Sequence, residues 1–169
     1  MAENEAQAPQ IDIGSATETG TEKPTIVVNR NVAERRKKPD KGGFIWGLGR
    51  RKSSVARVRI KPGEGKLLIN GKEVNDYFTQ VKDRDDVNAP LKAVNAEKSF
   101  DIFINVKGGG TTGQSGAIKL GIARALVNYD ETMLVNLRDS GYLTRDPRMV
   151  ERKKPGQPGA RRSFQFSKR

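Results

Sequence analysis

The sequence predicts a small α+β domain with basic extensions at both ends. Strand-like segments come first, a glycine-rich stretch follows, and helix-like segments close the domain. The strands show as alternation of apolar and polar residues. The helices show as apolar residues recurring every three or four positions.

Each element has its own warrant. Residues 1–25 are polar, acidic and rich in Ala, Thr and Glu, a composition that cannot bury enough apolar surface to fold, and they are expected to be disordered. Arg35 to Gly43 reads as a basic, breaker-rich linker, so the domain is expected to begin near Phe44. Phe44 to Gly49 leads into Arg50-Arg51-Lys52-Ser53-Ser54. Val55 to Ile60 alternates with period two, placing Val55, Arg57 and Arg59 on one face and Ala56, Val58 and Ile60 on the other. Pro62 to Gly65 is a turn. Lys66 to Asn70 is a second strand, stopped by Asn70-Gly71. Glu73 to Phe78 has room for one or two helical turns. Residues 82–88 are charged and loop-like, and Pro90 to Asn95 reads as a short helix with Pro in its first turn.

Phe100 to Val106 is the clearest strand, with Phe100, Ile102, Ile104 and Val106 on one face. Lys107 to Gly116 is a glycine loop. Ala117 to Tyr129 is a helix with Ile118, Ile122, Ala125 and Leu126 on one stripe. Asp130 caps a second helix running to Ser140, with Met133, Leu134 and Leu137 facing in and Gly141 as its C′ residue.

Charge is unevenly placed along the 169 residues, whose formal net charge is +12. Residues 1–24 hold five acids and one base, net −4; residues 30–52 hold nine bases and two acids, net +7; residues 145–169 hold nine bases and two acids, net +7. Two basic stretches flanking a nearly neutral middle suit a domain that grips phosphate from both ends. The chain has no Cys and no His. That excludes thiol nucleophiles, disulfides, thiolate or imidazole zinc sites and a Ser-His-Asp triad. No pair of carboxylates is arranged for acid–base work, and no cofactor is expected. No apolar run reaches membrane-spanning length, and the N-terminus is neither a secretory signal nor a transit peptide, so a cytoplasmic protein without a membrane partner is expected.

Gly108-x-Gly110-x-x-Gly113 matches the dinucleotide-binding pattern, but that motif needs a return strand after the helix, and a second helix follows here instead. The glycines also serve as a tight strand-to-helix turn. In a third reading, bare backbone N–H groups of Gly108 and Gly109 beside Lys107 form an anion site for an RNA phosphate. Arg50, Arg51 and Lys52, continued by Arg57 and Arg59, make a cationic face suited to phosphate, although such runs are commonly just solvated. Trp46 and Tyr129 read as packing residues. The final stretch, Glu151 to Arg169, is basic, rich in Pro and Gly, and without a core-forming period. Its Phe164 and Phe166 either stack on bases or dock into a partner groove. Arg152, Lys153, Lys154, Arg161 and Arg162 read as a grip on RNA.

Gly49-Arg50-Arg51-Lys52-Ser53-Ser54, Lys107-Gly108-Gly109-Gly110, Gly113-Gln114-x-Gly116-Ala117-Ile118, Arg124-Ala125-Leu126, Thr144-Arg145-Asp146, Val150 to Lys154 and Gln165-Phe166-Ser167-Lys168-Arg169 occur in this order. Together they closely resemble the bacterial form of the small-subunit ribosomal protein nine family, from about residue 46 onward. The resemblance implies a two-layer α+β domain shared with the second domain of ribosomal protein five, with a left-handed β-α-β crossover and an extended basic tail. It implies a non-enzymatic structural role on the ribosomal RNA of the small-subunit head, beside neighbouring head proteins, with Arg145 among the RNA contacts. Ser167, Lys168 and Arg169 would reach peptidyl-site tRNA.

The expected organisation is an extension and linker over 1–43, the domain over 44–148 and the tail over 149–169. The resemblance does not cover the extension, and the Pro- and Gly-spaced Pro155 to Ser163 portion departs from the family pattern. Two other classes are weighed beside it: a nucleotide-dependent enzyme built on the Gly108 to Gly116 loop, and a free-standing RNA chaperone.

Overall fold

The computed structural model describes residues 39–167. The expected disorder of residues 1–25, part of the basic linker, and Lys168 and Arg169 lie outside the described residues. Five strands form one sheet: β1 (Ile45–Arg51), β2 (Ser54–Pro62), β3 (Leu67–Ile69), β4 (Lys72–Glu73) and β5 (Phe100–Lys107), ordered β1-β2-β5-β3-β4. β3 and β5 are parallel; every other neighbouring pair is antiparallel. Helices α1 (Val74–Tyr77) and α2 (Val81–Ala93) connect β4 to β5. α3 (Thr111–Tyr129) follows β5, then a 3-10 turn (Glu131–Met133) and α4 (Leu134–Asp139). α3 lies across β1 and β2, and α2 packs against α3. The architecture is α+β.

The period-two reading of β2 and β5 holds. Ala56, Val58, Ile60, Ile102, Ile104 and Val106 are buried against Ile118, Ile122 and Leu126 of α3, while Arg57 and Asn105 are exposed. Asn70-Gly71 joins β3 to β4 with φ of 50° and 84°, the left-handed pair of a tight hairpin. The Asn70 side chain then prolongs the β3–β5 ladder: its Nδ2 donates to the Val106 carbonyl at 3.0 Å and its Oδ1 accepts from the Val106 N–H at 3.0 Å.

Four sequence expectations are corrected. First, residues 45–51 are a full strand. Gly47 and Gly49 weaken its strand pattern, yet they are what lets it pack. A Cβ on Gly49 would run into the Ala117 carbonyl and one on Gly47 into the Gly121 carbonyl, so β1 lies backbone-to-backbone on α3. Second, residues 81–93 are one helix, and Pro90 sits inside it rather than in a first turn. Its buried stripe is Asp83, Val87, Pro90 and Leu91, a helical spacing disguised by a carboxylate at its first position. Ser115 Oγ donates to that carboxylate at 3.0 Å. Third, α3 begins at Thr111, six residues before the expected start. Gly113 and Gly116 belong to the helix, and each faces a side chain that a Cβ would strike: Ser54 Oγ for Gly113 and Arg51 Cδ for Gly116. Fourth, Asp130 caps a 3-10 turn, accepting from the Thr132 N–H at 3.0 Å, before α4 begins at Leu134. Leu137 is fully buried, whereas Met133 and Leu134 are partly exposed. Gly141 ends α4 at φ 73°, its N–H bonded to the Arg138 carbonyl and the Tyr142 N–H to that of Leu137.

Candidate nucleic-acid interface

The face of the sheet turned away from α3 carries rows of side chains set by strand register. Trp46, Arg59 and Phe103 form one row; Leu48, Arg57 and Asn105 the next; Arg50, Val55 and Lys107 the last. The Arg59 guanidinium lies 5.3 Å from the Phe44 ring centre and 5.4 Å from that of Phe103, and the rings meet edge to face. Trp46 is 45% exposed, so it belongs to this open face and not to the core. Tyr129 does pack, edge to face on Phe100 at 4.9 Å.

At the end of the sheet, the β1–β2 turn Lys52-Ser53 meets the Gly108-Gly109-Gly110 loop. Gly108 and Gly109 have φ of 76° and 67°, and a Cβ on either would strike Ser53 or Ser54. Ser54 Oγ donates to the Gly108 carbonyl at 3.0 Å, and Gln114 Nε2 does so at 3.1 Å. Gly110 caps α3 without a side chain, leaving the start of that 19-residue helix flanked by Lys107. No strand follows α3 among the described residues, so the return strand that a dinucleotide fingerprint needs is lacking there.

Arg51 has a different part from its neighbours. Its guanidinium donates to the Thr112 carbonyl at 3.0 Å and to Asp146 Oδ2 at 3.1 Å, tying β1 to α3 and to the root of the tail. Arg148 binds the same carboxylate at 3.0 Å. The Arg148 side chain above all, then its backbone N–H and Arg51, holds the Asp146 carboxyl far below its ordinary value of 3.8. Arg50, Lys52, Arg57, Lys107 and Arg145 have no acidic partner among the described residues.

The tail is not uniformly extended. Arg161 Nε donates to both Glu151 carboxylate oxygens at 2.9 and 3.1 Å, and its Nη2 also bonds this carboxylate, closing the intervening residues into a loop. Gly156 turns at φ 72°. This pairing lowers the Glu151 pKa and raises that of Arg161. Arg152, Lys153, Lys154 and Arg162 remain exposed, as do Phe164, Phe166 and Ser167. Sequence reasoning missed Trp46 as a surface residue, and it missed Lys82, which α2 carries into a basic cleft beside Arg145. Recognition of the disguised α2 stripe is the signal that finds Lys82.

Among the described residues, no cluster of acidic side chains is placed to hold a metal, and no helix is long and apolar enough to cross a membrane. The described residues thus form a small basic α+β protein with Trp46 and unpaired cations on its open sheet face and further exposed cations on its tail. The family model described as ribosomal protein S9/S16 matches residues 49–169. The chain is 52% identical over 133 residues, 79% of its length and 97% of the relative's, to the small ribosomal subunit protein uS9 of Rhodopirellula baltica. It is 57% identical over 122 residues, 72% of its length and 95% of the relative's, to the protein of the same name from Chlorobaculum tepidum. The chain belongs to the ribosomal protein S9 family. It is a ribosomal protein of the small subunit, acting in translation, and it is not an enzyme.

Proposed function

We propose that this protein binds ribosomal RNA in the head of the small subunit, beside neighbouring head proteins, and touches peptidyl-site tRNA with the end of its tail. The observation that carries the reading is the set of exposed cations without acidic partners: Arg50, Lys52, Arg57, Lys107 and Arg145 on the domain, and Arg152, Lys153, Lys154 and Arg162 on the tail loop. Phosphate neutralisation with counterion release favours such a surface. Arg59 and the Gly108-Gly109 backbone complete the domain contact. Arg51 contributes by holding the tail root, and Arg161 by closing the tail loop. The parallel pair β3 and β5, joined through β4, α1 and α2, is read as the left-handed crossover shared with the second domain of ribosomal protein five.

Contacts to phosphate position a ligand without reading its sequence, so a tail ending in Ser167, Lys168 and Arg169 accepts any tRNA. Deleting those three residues is expected to leave incorporation into small subunits intact and to weaken tRNA binding at the peptidyl site. Filter binding of tRNA to reconstituted subunits checks this; unchanged affinity in the truncated subunits would sink the tail assignment.

A further inference from the structure

A cleft of about 380 Å³ opens between the end of β1, α2, the first half of α3 and the segment after α4. Six basic and two acidic residues line it. Both acids are already neutralised: Asp86 by Lys119 at 2.8 Å, and Asp146 by Arg51 and Arg148 at 3.1 and 3.0 Å. Arg50, Lys82 and Arg145 line the same cleft with no acidic partner among the described residues. Like charges gathered without a counter-charge repel one another, and an anion seated among them relieves the repulsion.

The volume falls within the range of about 300–1,000 Å³ typical of ligand sites. The lining, however, offers no free aromatic face for a base. Its one ring, Tyr142, already has the Lys119 ammonium 5.9 Å from its centre. The chemistry therefore suits a phosphate with its sugar rather than a free nucleotide held by its base. Arg50 also ends the cationic row of the open sheet face, and Arg148 leads into the tail, so the cleft is continuous with both surfaces assigned to RNA.

We propose that this cleft seats a backbone phosphate of the ribosomal RNA, with Lys82 of α2 as a contact residue alongside Arg50 and Arg145. The proposal rests on the RNA-binding reading above and adds a residue and a place to it.

The test uses the full chain and an in vitro transcript of the small-subunit head RNA, with binding measured across a salt series. Lys82→Gln is expected to make the dependence of log affinity on log salt shallower by about 0.7–0.9, the loss of one phosphate contact. Lys82→Arg is expected to retain the wild-type slope. Lys98→Gln, an exposed charge just before β5, should not change it. An unchanged slope in Lys82→Gln, or an equal drop in Lys98→Gln, overturns the placement. Inorganic phosphate and AMP are titrated separately. Saturable submillimolar AMP binding lost in Lys82→Gln, with the RNA slope intact, would make the cleft a nucleotide site and overturn the RNA assignment. Failure of the wild-type protein to bind the transcript at all would overturn both the placement and the reading beneath it.

Discussion

Gly49 marks where one absent side chain decides how two elements meet. Its Cα faces the Ala117 carbonyl, and Gly121 answers from α3 with Val58 Cγ2 only 2.7 Å from where its own Cβ would be. Neither backbone can yield, so Gly49→Ala is expected to destabilise the domain by at least about 1–3 kcal/mol, the usual cost of overpacking. A urea melt of the variant checks it; a midpoint equal to wild type would contradict the contact. Two carboxylates make the fold acid-sensitive in a definite direction. Asp101 accepts the backbone N–H groups of Lys66 and Glu64 at 3.1 and 3.0 Å; the Lys66 bond foremost, then that of Glu64 and the charge of Lys61, lowers its pKa below 3.8. Asp146 is lowered too. A depressed carboxylate contributes stability that is complete above its unfolded value and lost as pH falls through the folded one. Stability is therefore expected to fall as pH drops below about 4, and Asp101→Asn, less stable near neutrality, should show a flatter decline. Equal acid slopes in both proteins would refute this.

β1 is an edge strand, and its outward carbonyls invite pairing with another chain. α3 covers two of them: Arg124 donates to the Leu48 carbonyl at 2.9 Å and Asn128 to the Trp46 carbonyl at 2.8 Å. Donors four apart on the helix match acceptors two apart on the strand, because both spacings come to about 6–7 Å. Replacing both residues by Ala is expected to produce concentration-dependent association of the free protein, read by sedimentation velocity. A variant that stays monomeric would show that the edge needs no cover. The elements most legible in the sequence were β2, β5 and the second half of α3; in β2 and β5 alternate apolar residues are buried, with Asp101 the one charged residue buried among them. β1 was hidden because its core-facing side is mostly glycine, and α2 because Asp83 stands in its apolar stripe. In both cases a partner element, α3, makes the residue fit, and no local pattern reports a partner.

At the scale of the molecule, the basic stretches and the Arg57–Arg59 face were readable from charge and alternation alone. The distinction between Arg51, committed to Thr112 and Asp146, and Arg50, left without an acid, was not, because it depends on residues distant in the chain. The Glu151–Arg161 pairing was equally invisible, since Pro and Gly spacing announces an open chain as readily as a closed loop. Glu151→Gln should release it. The chain lacks cysteine, so labels placed by Val150→Cys and Ser163→Cys report the closure directly. Their separation is expected to lengthen when Glu151→Gln is added; an unchanged distance would show that the loop is held otherwise.

That closure also sets the length of a tether. With the loop shut, the tether from Arg162 to Ser167 is six residues; with it open, from Glu151, seventeen. For a flexible chain, effective concentration falls as about the 3/2 power of length, so opening the loop would dilute Ser167 roughly fivefold around the domain while extending its maximum reach from about 20 Å to about 58 Å. One exposed ion pair thus trades local concentration against range.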